Sequence, residues 1–497
     1  MSDHSASSLP LFHMVGFTGH RFVVDDAMIA MAIGRELEAL NELSAGDWNA
    51  ISSAAEGTDQ MFAREAMERG MAWSAVLPLD PAEFKRDFSE EKWAEVETLL
   101  QQAQGTRVIE SNGTREEAYM DCGLETVNAC DVLIAVWDGQ EARGLGGTAD
   151  VVSYAAELKT PTIIIDARSG ESRRVHFDQF RHSDAELDFL NAQAPVDTAP
   201  SDEQVAAGVP DALLRFQAKT DAAATANAPH FRRLIVSTVL LHVIATIVAA
   251  AALAFHLHWI VLPWIKLLCL VGALGVARVI HHYRAQHNWV RCRLAAEIAR
   301  AAIATWHLPR RTPLFAELDL PSVRQLLRSL HILNRRANAG ETPDLKAFRE
   351  RYGRQRIDDQ LAYYRRQLSK AQPLLKRLRL GFSVSTIVAI VATAIYAVHH
   401  TLHLAPLPGM AEELVFYFLP IVLPVIAAAF MAFVSINDLH RRVARYHEMI
   451  HTLEAARRRL AYSQTWHSVE QVVRQTERTL LQEVLEWHTL MSHLESH

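Results

Sequence analysis

Apolar positions fall into two regimes along the chain. Between His13 and Asp166 they come as short runs: His13 to Phe17, Trp48 to Ser53, Trp73 to Leu77, Val132 to Trp137 and Thr162 to Asp166. Each run is followed by a turn-rich or helix-forming stretch, an alternation that predicts a parallel sheet wrapped by helices. Past residue 230 the runs lengthen: Leu234 to Phe255, Trp259 to Ala277, Leu380 to Val398 and Leu414 to Ile436. Each approaches the ~20 residues a helix needs to cross ~30 Å of hydrocarbon and exceeds the ~10–14 of a buried core helix. The pattern therefore predicts an α/β sheet domain followed by an all-α membrane region of four spans with cytoplasmic helices. Expected boundaries are 1–170 for the sheet domain, 171–230 for a linker, 231–280 for a first hairpin and 281–355 for a cytoplasmic helical segment. A second hairpin with flanking helices takes 356–462, and a C-terminal helix takes 463–497.

Charge sharpens the division. From Met1 to Thr220 there are 38 acidic and 17 basic side chains, a net of −21; the remaining residues hold 19 acidic and 33 basic, a net of +14. A half-hydrophobic chain of 497 residues with 22% charged residues is not a disordered one. Basic residues that sit with the apolar runs suit a membrane module and not a nucleic-acid binder. The four cysteines, Cys122, Cys130, Cys269 and Cys292, lack CxxC spacing and indicate neither a zinc ribbon nor a disulfide framework. The opening MSDHSASSLPLFHM has no basic segment leading into an apolar core, so no cleavable signal peptide is expected.

Basic clusters flank every span on one side: Arg232 and Arg233, then Arg278, Arg284, Arg291 and Arg293, then Lys370, Lys376, Arg377 and Arg379, and finally Arg441, Arg442 and Arg445. The hairpin connections His256 to His258 and His399 to Glu413 hold no Lys or Arg. The positive-inside rule then places both termini and the middle segment in the cytoplasm and the protein in the inner membrane, multi-pass. Each hairpin is followed by an aromatic and arginine-rich stretch, HHYRAQHNWVRCRLAAEIARAAIATW and LHRRVARYHEMIHTLEAARRRLAYSQTW, so the layout is a tandem two-span unit. The segment RIDDQLAYYRRQLSKAQPLLKRLRL, two spans, then RRVARYHEMIHTLEAARRRL resembles the SLATT family of bacterial two-span proteins over about Arg356 to Tyr462; the first hairpin resembles a more diverged copy.

Polar groups inside the spans flag function, here His242 and Lys266, the latter placed to snorkel toward the outer interface. Pro420 and Pro424 are expected to kink the fourth span. His256, His258, His399, His400 and His403 could meet across the outer loops, but no acidic or cysteine partner stands at ligand spacing, so no metal is assigned. The stretch from Ala167 to Pro229 reads as a partly ordered loop and then a helix leading to the membrane, and LPRRTPL and NAGETPD read as breaks in the middle segment. Near the end, Val469, Val473, Thr476, Leu480, Glu483, Trp487, Leu490 and Leu494 follow 4–3 spacing, either a coiled-coil seam between copies or a face packed within the chain.

In a parallel sheet, ligands bind beyond the carboxyl ends of the strands, and there the chemistry concentrates. After the first strand comes GFTGHR (Gly16 to Arg21), after the second AAEGTDQMFAREA (Ala54 to Ala66), and after the fourth WDGQEARGLGGTADVV (Trp137 to Val152). The last sets Gly146, Gly147 and Thr148 at a helix start, where free N–H groups, the helix dipole and the threonine hydroxyl attract phosphate. A tight glycine turn explains any one of these loops, but not three at one sheet edge. GHR after the first strand, EGTD before the second helix and CDVLIAVWDG with GLGGTADVV resemble the SLOG superfamily over about Met14 to Ala167, the Rossmann-like group that includes the Lonely Guy phosphoribohydrolases and the DNA-processing protein A family.

That resemblance implies a nucleotide or nucleotide-derived ligand held against the GGT turn. Gly16, Thr18, Gly19, His20, Arg21, Glu56, Gly57, Thr58, Asp59, Trp137, Asp138, Gly139, Gly146, Gly147 and Thr148 are its candidate ligand-binding residues. His20 and Arg21 would contact phosphate or ribose, and Asp59 and Asp138 a hydroxyl or base. The hydrolases carry GGxGTxxE, and the glutamate position here is Val151; Asp150, one residue away, is rotated by about 100° on a helix. The resemblance therefore implies a nucleotide-sensing membrane effector of bacterial conflict systems, a homo-oligomer in the bilayer without cofactor, catalytic residue or metal. The alternative is a membrane-tethered nucleotide hydrolase that draws a carboxylate from Glu56, Asp59 or Asp138.

Overall fold

The computed structural model describes all residues except 1–7, 45, 110, 112, 142–143, 197–207, 283–284, 309–320, 339–343, 404–408 and 495–497. The sheet strands are β1 (Phe12–Gly19), β2 (Asp47–Ser52), β3 (Ala72–Leu77), β4 (Gly105–Val108), β5 (Val132–Trp137), β6 (Thr162–Asp166) and β7 (Ser172–Val175). Their order is β4-β3-β2-β1-β5-β6-β7, parallel except for β7, which pairs antiparallel with β6. Around them lie α1 (Asp26–Leu43), α2 (Thr58–Glu68), α3 (Glu90–Gln102), α4 (Arg115–Ala129), α5 (Thr148–Glu157) and α6 (Ala185–Asn191). Val132 to Val136 are fully buried, as a central strand covered on both faces requires. One face packs Val15, Phe17, Ile33, Leu37, Phe62 and Trp73, and the other packs Ile51, Val76 and Cys122. The strand order reverses between β1 and β5, and that reversal opens a crevice at their carboxyl ends.

The five apolar runs of the sequence are β1, β2, β3, β5 and β6. The edge strands β4 and β7 lie outside that expectation, and β7 and α6 form within what the sequence presents as linker. Residues 197–207 of that stretch are outside the described residues.

The helical part runs α7 (Asp211–Ala254), α8 (Val261–His282), α9 (Ala285–Ala304), α10 (Arg324–Ala337), α11 (Leu345–Tyr352), α12 (Asp359–Thr401), α13 (Leu419–Ile436), α14 (Leu439–Tyr462) and α15 (Trp466–Leu494). The breaks expected at LPRRTPL and NAGETPD fall almost wholly outside the described residues. Two compact units result: Met1–Phe216 with Leu318–Thr342, and Gln217–Glu317 with Pro343–His497.

α10 thus belongs to the sheet unit, although it lies in sequence between the hairpins. Leu326, Leu330 and Ile332 bury its apolar face, and its polar face is fixed to the amino edge of the sheet. Arg328 pairs with Asp131 ahead of β5 and donates to the carbonyl of Ala129 at 3.1 Å; Ser329 donates to the Pro10 carbonyl at 2.8 Å; Arg335 donates to Ser74 at 3.1 Å.

In the other unit, four helical stretches are long and apolar enough to cross a membrane: Arg233–Ala254, Val261–Val279, and parts of Leu345–Thr401 and Met410–Tyr462. A π-turn over Glu413–Phe418 runs straight into Pro420, with Pro424 inside α13, and proline's missing N–H accounts for irregular helix there. His242 contacts the Thr238 carbonyl at 2.9 Å, so its ring is satisfied by its own helix.

The tandem repeat is visible as contacts. Glu297 to Arg300 reads EIAR and Glu454 to Arg457 reads EAAR, each in the helix that follows its hairpin. Arg300 donates to Asp221 at 2.9 Å and Arg457 to Asp358 at 3.0 Å, each aspartate standing ahead of the same hairpin's first span. Val469, Val473, Thr476 and Leu480 are buried, the three aliphatic ones within the core that α11, α12, α14 and α15 share. The described part of the seam is therefore an intramolecular face, the second of the two readings its spacing left open; the side chains of Glu483, Trp487, Leu490 and Leu494 lie outside the described residues.

Candidate functional site

The crevice at the carboxyl ends of β1 and β5 is a cleft of about 940 Å³. Its size falls within the ~300–1,000 Å³ of small-molecule sites. Of the residues singled out in the sequence, Thr18, Gly19, His20, Arg21, Asp59, Asp138, Gly146, Gly147 and Thr148 line it together.

The phosphate end is the start of α5. Gly147 occupies the N-cap position with no side chain capping the helix, and only the N–H groups of Asp150 and Val151 turn back to the Gly147 carbonyl. The N–H groups of Thr148 and Ala149 are first-turn donors with no intrahelical acceptor, and both residues line the cleft. The turn is braced from behind. Gly146 holds φ at 81° and its N–H donates to the Asp150 carboxylate at 3.0 Å, so Asp150 is spent on the turn. Val151, where the hydrolases carry glutamate, is buried with Val127, Leu133 and Ala155 and packs on Gly123. Val151 also lines the cleft, which therefore meets an aliphatic group where the hydrolases present a carboxylate.

Across the switch point, the backbone N–H of Asp138 donates to His20 Nε2 at 3.2 Å; when that nitrogen is protonated it can donate to Asp138 Oδ1, 3.1 Å away. Burial acts to raise the Asp138 carboxyl, but the Gln140 N–H, His20 and Arg168 outweigh it and hold it below its usual range. Arg21 is exposed and forms no ion pair with a described residue, so its charge is available to a ligand.

The EGTD motif divides in role. Gly57, at φ 99°, lies so close to the Arg21 carbonyl that a β-carbon would clash with it, and Thr58 donates its hydroxyl to the His20 carbonyl at 2.8 Å. These two residues hold the GHR loop in place. Glu56 pairs with Lys92, Trp137 donates to the Gln140 carbonyl at 2.8 Å, Gly139 turns the chain at φ 75°, and Gly16 packs against Cys130 inside β1. None of these six lines the cleft; Asp59 alone of EGTD does. Its side chain is buried, and burial raises the carboxyl well above its usual range despite Arg21 and its own backbone N–H.

Several lining residues escape the sequence reading, among them Asp87, Arg115, Tyr119 and Phe22. Asp87, ahead of α3, accepts from Arg115 Nε at 3.0 Å and from the Tyr119 hydroxyl at 2.5 Å. Burial acts to raise the Asp87 carboxyl, and these two donors outweigh it, holding it low; burial with Asp87 raises the Tyr119 phenol. The available signal was Arg115 and Tyr119 at i,i+4 on one helix face. Phe22 joins them at the rim, 79% exposed. Among the described residues no cluster of three His, Cys, Asp or Glu side chains is placed to hold a metal.

Comparison with known families bears on the helical part. Residues 215–372 match the family described as SMODS and SLOG-associating 2TM effector domain 3, and residues 352–487 match SMODS and SLOG-associating 2TM effector domain 1. The chain therefore carries two SLATT effector domains in tandem, which together span both hairpins. With its four apolar helices it is a membrane protein. No curated protein matches the chain at a significant level.

Proposed function

We propose that the protein is a nucleotide-sensing membrane effector. A nucleotide-derived small molecule binds in the sheet cleft and switches the tandem SLATT module, in an inner-membrane homo-oligomer that opens a pore or disturbs the bilayer, in the manner of anti-phage conflict systems. The observation that carries this reading is the uncapped start of α5 facing the same cleft as Arg21, His20 and Asp138. An anion donor set and hydroxyl acceptors stand at a topological switch point, the usual place for such ligands. SLATT domains associate by name with SLOG modules, which supports reading the sheet unit as one. The buried Val151 supports sensing over hydrolysis.

The test uses the full chain in nanodiscs with a panel of nucleotides, following both thermal shift and product formation. Gly147→Val with Thr148→Ala should weaken binding by about tenfold or more, the loss of one charge-assisted hydrogen bond of roughly 1.5–3 kcal/mol. A folded double variant that binds as well as the parent would place the site elsewhere, and turnover of any nucleotide would favour the hydrolase.

A further inference from the structure

We infer that α10 is a basic amphipathic helix with two alternative partners, the sheet on which it lies and the surface of an anionic bilayer, and that it exchanges between them. The inference is independent of what the cleft binds.

The composition of α10 points to the second partner. Its 14 residues, RQLLRSLHILNRRA, hold four arginines and no acidic side chain. Arg324, Arg328, His331 and Arg335 recur at steps of four and three and so share one side of the helix, while Leu326, Leu327, Leu330 and Leu333 share the other. A nucleic acid would use the arginines alone. A bilayer uses both sides at once, its headgroups against the basic side and its acyl chains against the leucines. On an anionic membrane surface each arginine adds about fivefold in affinity.

The dock on the sheet uses the same side chains less well. Arg328 and Arg336 meet carboxylates, those of Asp131 and Asp47. Arg335 donates to the Ser74 hydroxyl, and among the described residues no carboxylate pairs with it. Burial without an opposing charge pulls its guanidinium below the usual range. Asn49 lies on β2, between the two strands that α10 holds at the Phe12 carbonyl and at Ser74, and it is 1% exposed. Neither polar atom of its side chain has a partner among the described residues. A half-satisfied polar contact of this kind is weaker than an apolar one of the same extent, and Leu327 and Leu333 stay half-buried. A surface that accepts every arginine and covers every leucine therefore competes with it.

The chain itself brings that surface within reach. α10 stands in sequence between Val279, where the second apolar stretch ends, and Leu345–Thr401, which contains the third. A helix tethered on both sides to membrane-crossing helices meets the bilayer at high effective concentration.

The experiment uses the full chain in nanodiscs of phosphatidylcholine alone and of phosphatidylcholine mixed with phosphatidylglycerol. Hydrogen exchange across α10 reports its release from the sheet, and lipid adducts of a photo-crosslinking residue placed at Leu327 report where it goes. Asp131→Asn removes the charge that holds Arg328 and should speed exchange in α10 about tenfold or more in neutral discs, the loss of one charge-assisted contact. Arg328→Gln, which removes the other partner, is a second release variant should the first melt early. In anionic discs the released protein should form about fivefold or more lipid adducts than in neutral ones. Arg328→Glu with Arg335→Glu should also free the helix, yet its adducts in anionic discs should fall to the level of neutral discs. Release without an excess of adducts in anionic discs, or an excess that survives the charge reversal, overturns the inference. Exchange unchanged by both release variants overturns it equally, because the helix would then have the sheet as its sole partner.

Discussion

Arg356, in a π-turn over Gly353–Asp358 that leads into α12, grips Glu477 on the last helix through Nε–Oε1 at 2.8 Å and Nη2–Oε2 at 2.6 Å, with both side chains buried. The Tyr352 hydroxyl donates to the same carboxylate at 2.8 Å, and Glu297 of the first repeat stands 4.0 Å from Arg356. One bidentate pair thus ties the terminal helix to the entry of the second hairpin and touches the repeat before it. A buried pair adds little against an apolar substitute, but losing one partner strands the other charge.

Glu477→Ala should therefore destabilise the helical unit by about 3–5 kcal/mol, while Arg356→Met with Glu477→Met should recover most of it. Thermal unfolding in detergent reads both. A double variant as unstable as the single one would show that the pair contributes more than the cost of an unpaired charge.

The pair of Arg328 with Asp131 invites a pH experiment. Burial acts to raise the Asp131 carboxyl, but Arg328, His13 and the Met14 N–H outweigh it and hold it below its usual range. A carboxylate depressed on folding adds stability at pH above its unfolded value of about 3.9, and that stability is lost as pH falls through the folded value. Hydrogen exchange should find α10 protected at neutral pH, loosened below about pH 4, and loosened at neutral pH by Arg328→Ala. Protection unaffected by that substitution would mean the apolar face alone holds the helix.

These two contacts mark where the sequence stops being informative. β5 is a run of apolar residues buried on both faces, and the spans are runs longer than any core helix, so both announce themselves locally. β4 and β7, GTRV and SRRV, are four-residue edge strands with exposed side chains, and nothing in their composition separates them from loop. The docking of α10 depends on Arg328 meeting Asp131 across almost two hundred residues. In the cleft, GHR, GGT and Asp138 are legible because turn glycines and phosphate donors cluster in sequence. Gly57 and Thr58 read the same way yet serve to brace the loop, since a motif gives residue types and not directions. Asp87 and Arg115 come from separate elements and only packing joins them.

Asp59 carries a stability prediction independent of any ligand. A carboxyl raised on folding costs stability once pH exceeds its unfolded value, and the cost grows until the folded value is passed. Asp59→Asn should raise the melting temperature of the full chain at neutral pH and leave it nearly unchanged below about pH 4. A lower melting point at neutral pH would mean that the negative charge is used in the fold.

The basic clusters all flank one side of the spans, and the positive-inside rule predicts that this side is cytoplasmic. A cysteine placed at Gly409, beside the second hairpin connection, should then be labelled by an impermeant reagent in intact cells. Labelling only after permeabilisation would invert the topology.

Coupling between cleft and membrane is the strongest test of the effector reading. A ligand biases a two-state assembly only by its differential affinity, typically about 1–3 kcal/mol per site, so a sharp switch needs several subunits acting together. Four spans enclose little on their own, which is a separate reason to expect a homo-oligomer. At the basic end of the third span Arg379 contacts the His440 ring at 2.8 Å, joining α12 to the helix that leaves the fourth span. Any movement that travels along α12 toward the third span passes this junction first. Expression with the activating signal should depolarise cells, and Arg377→Glu with Arg379→Glu should abolish depolarisation while nucleotide binding persists. Full depolarisation by that variant would remove the junction from the route, and reconstituted vesicles that hold their potential under saturating nucleotide would count against the effector itself.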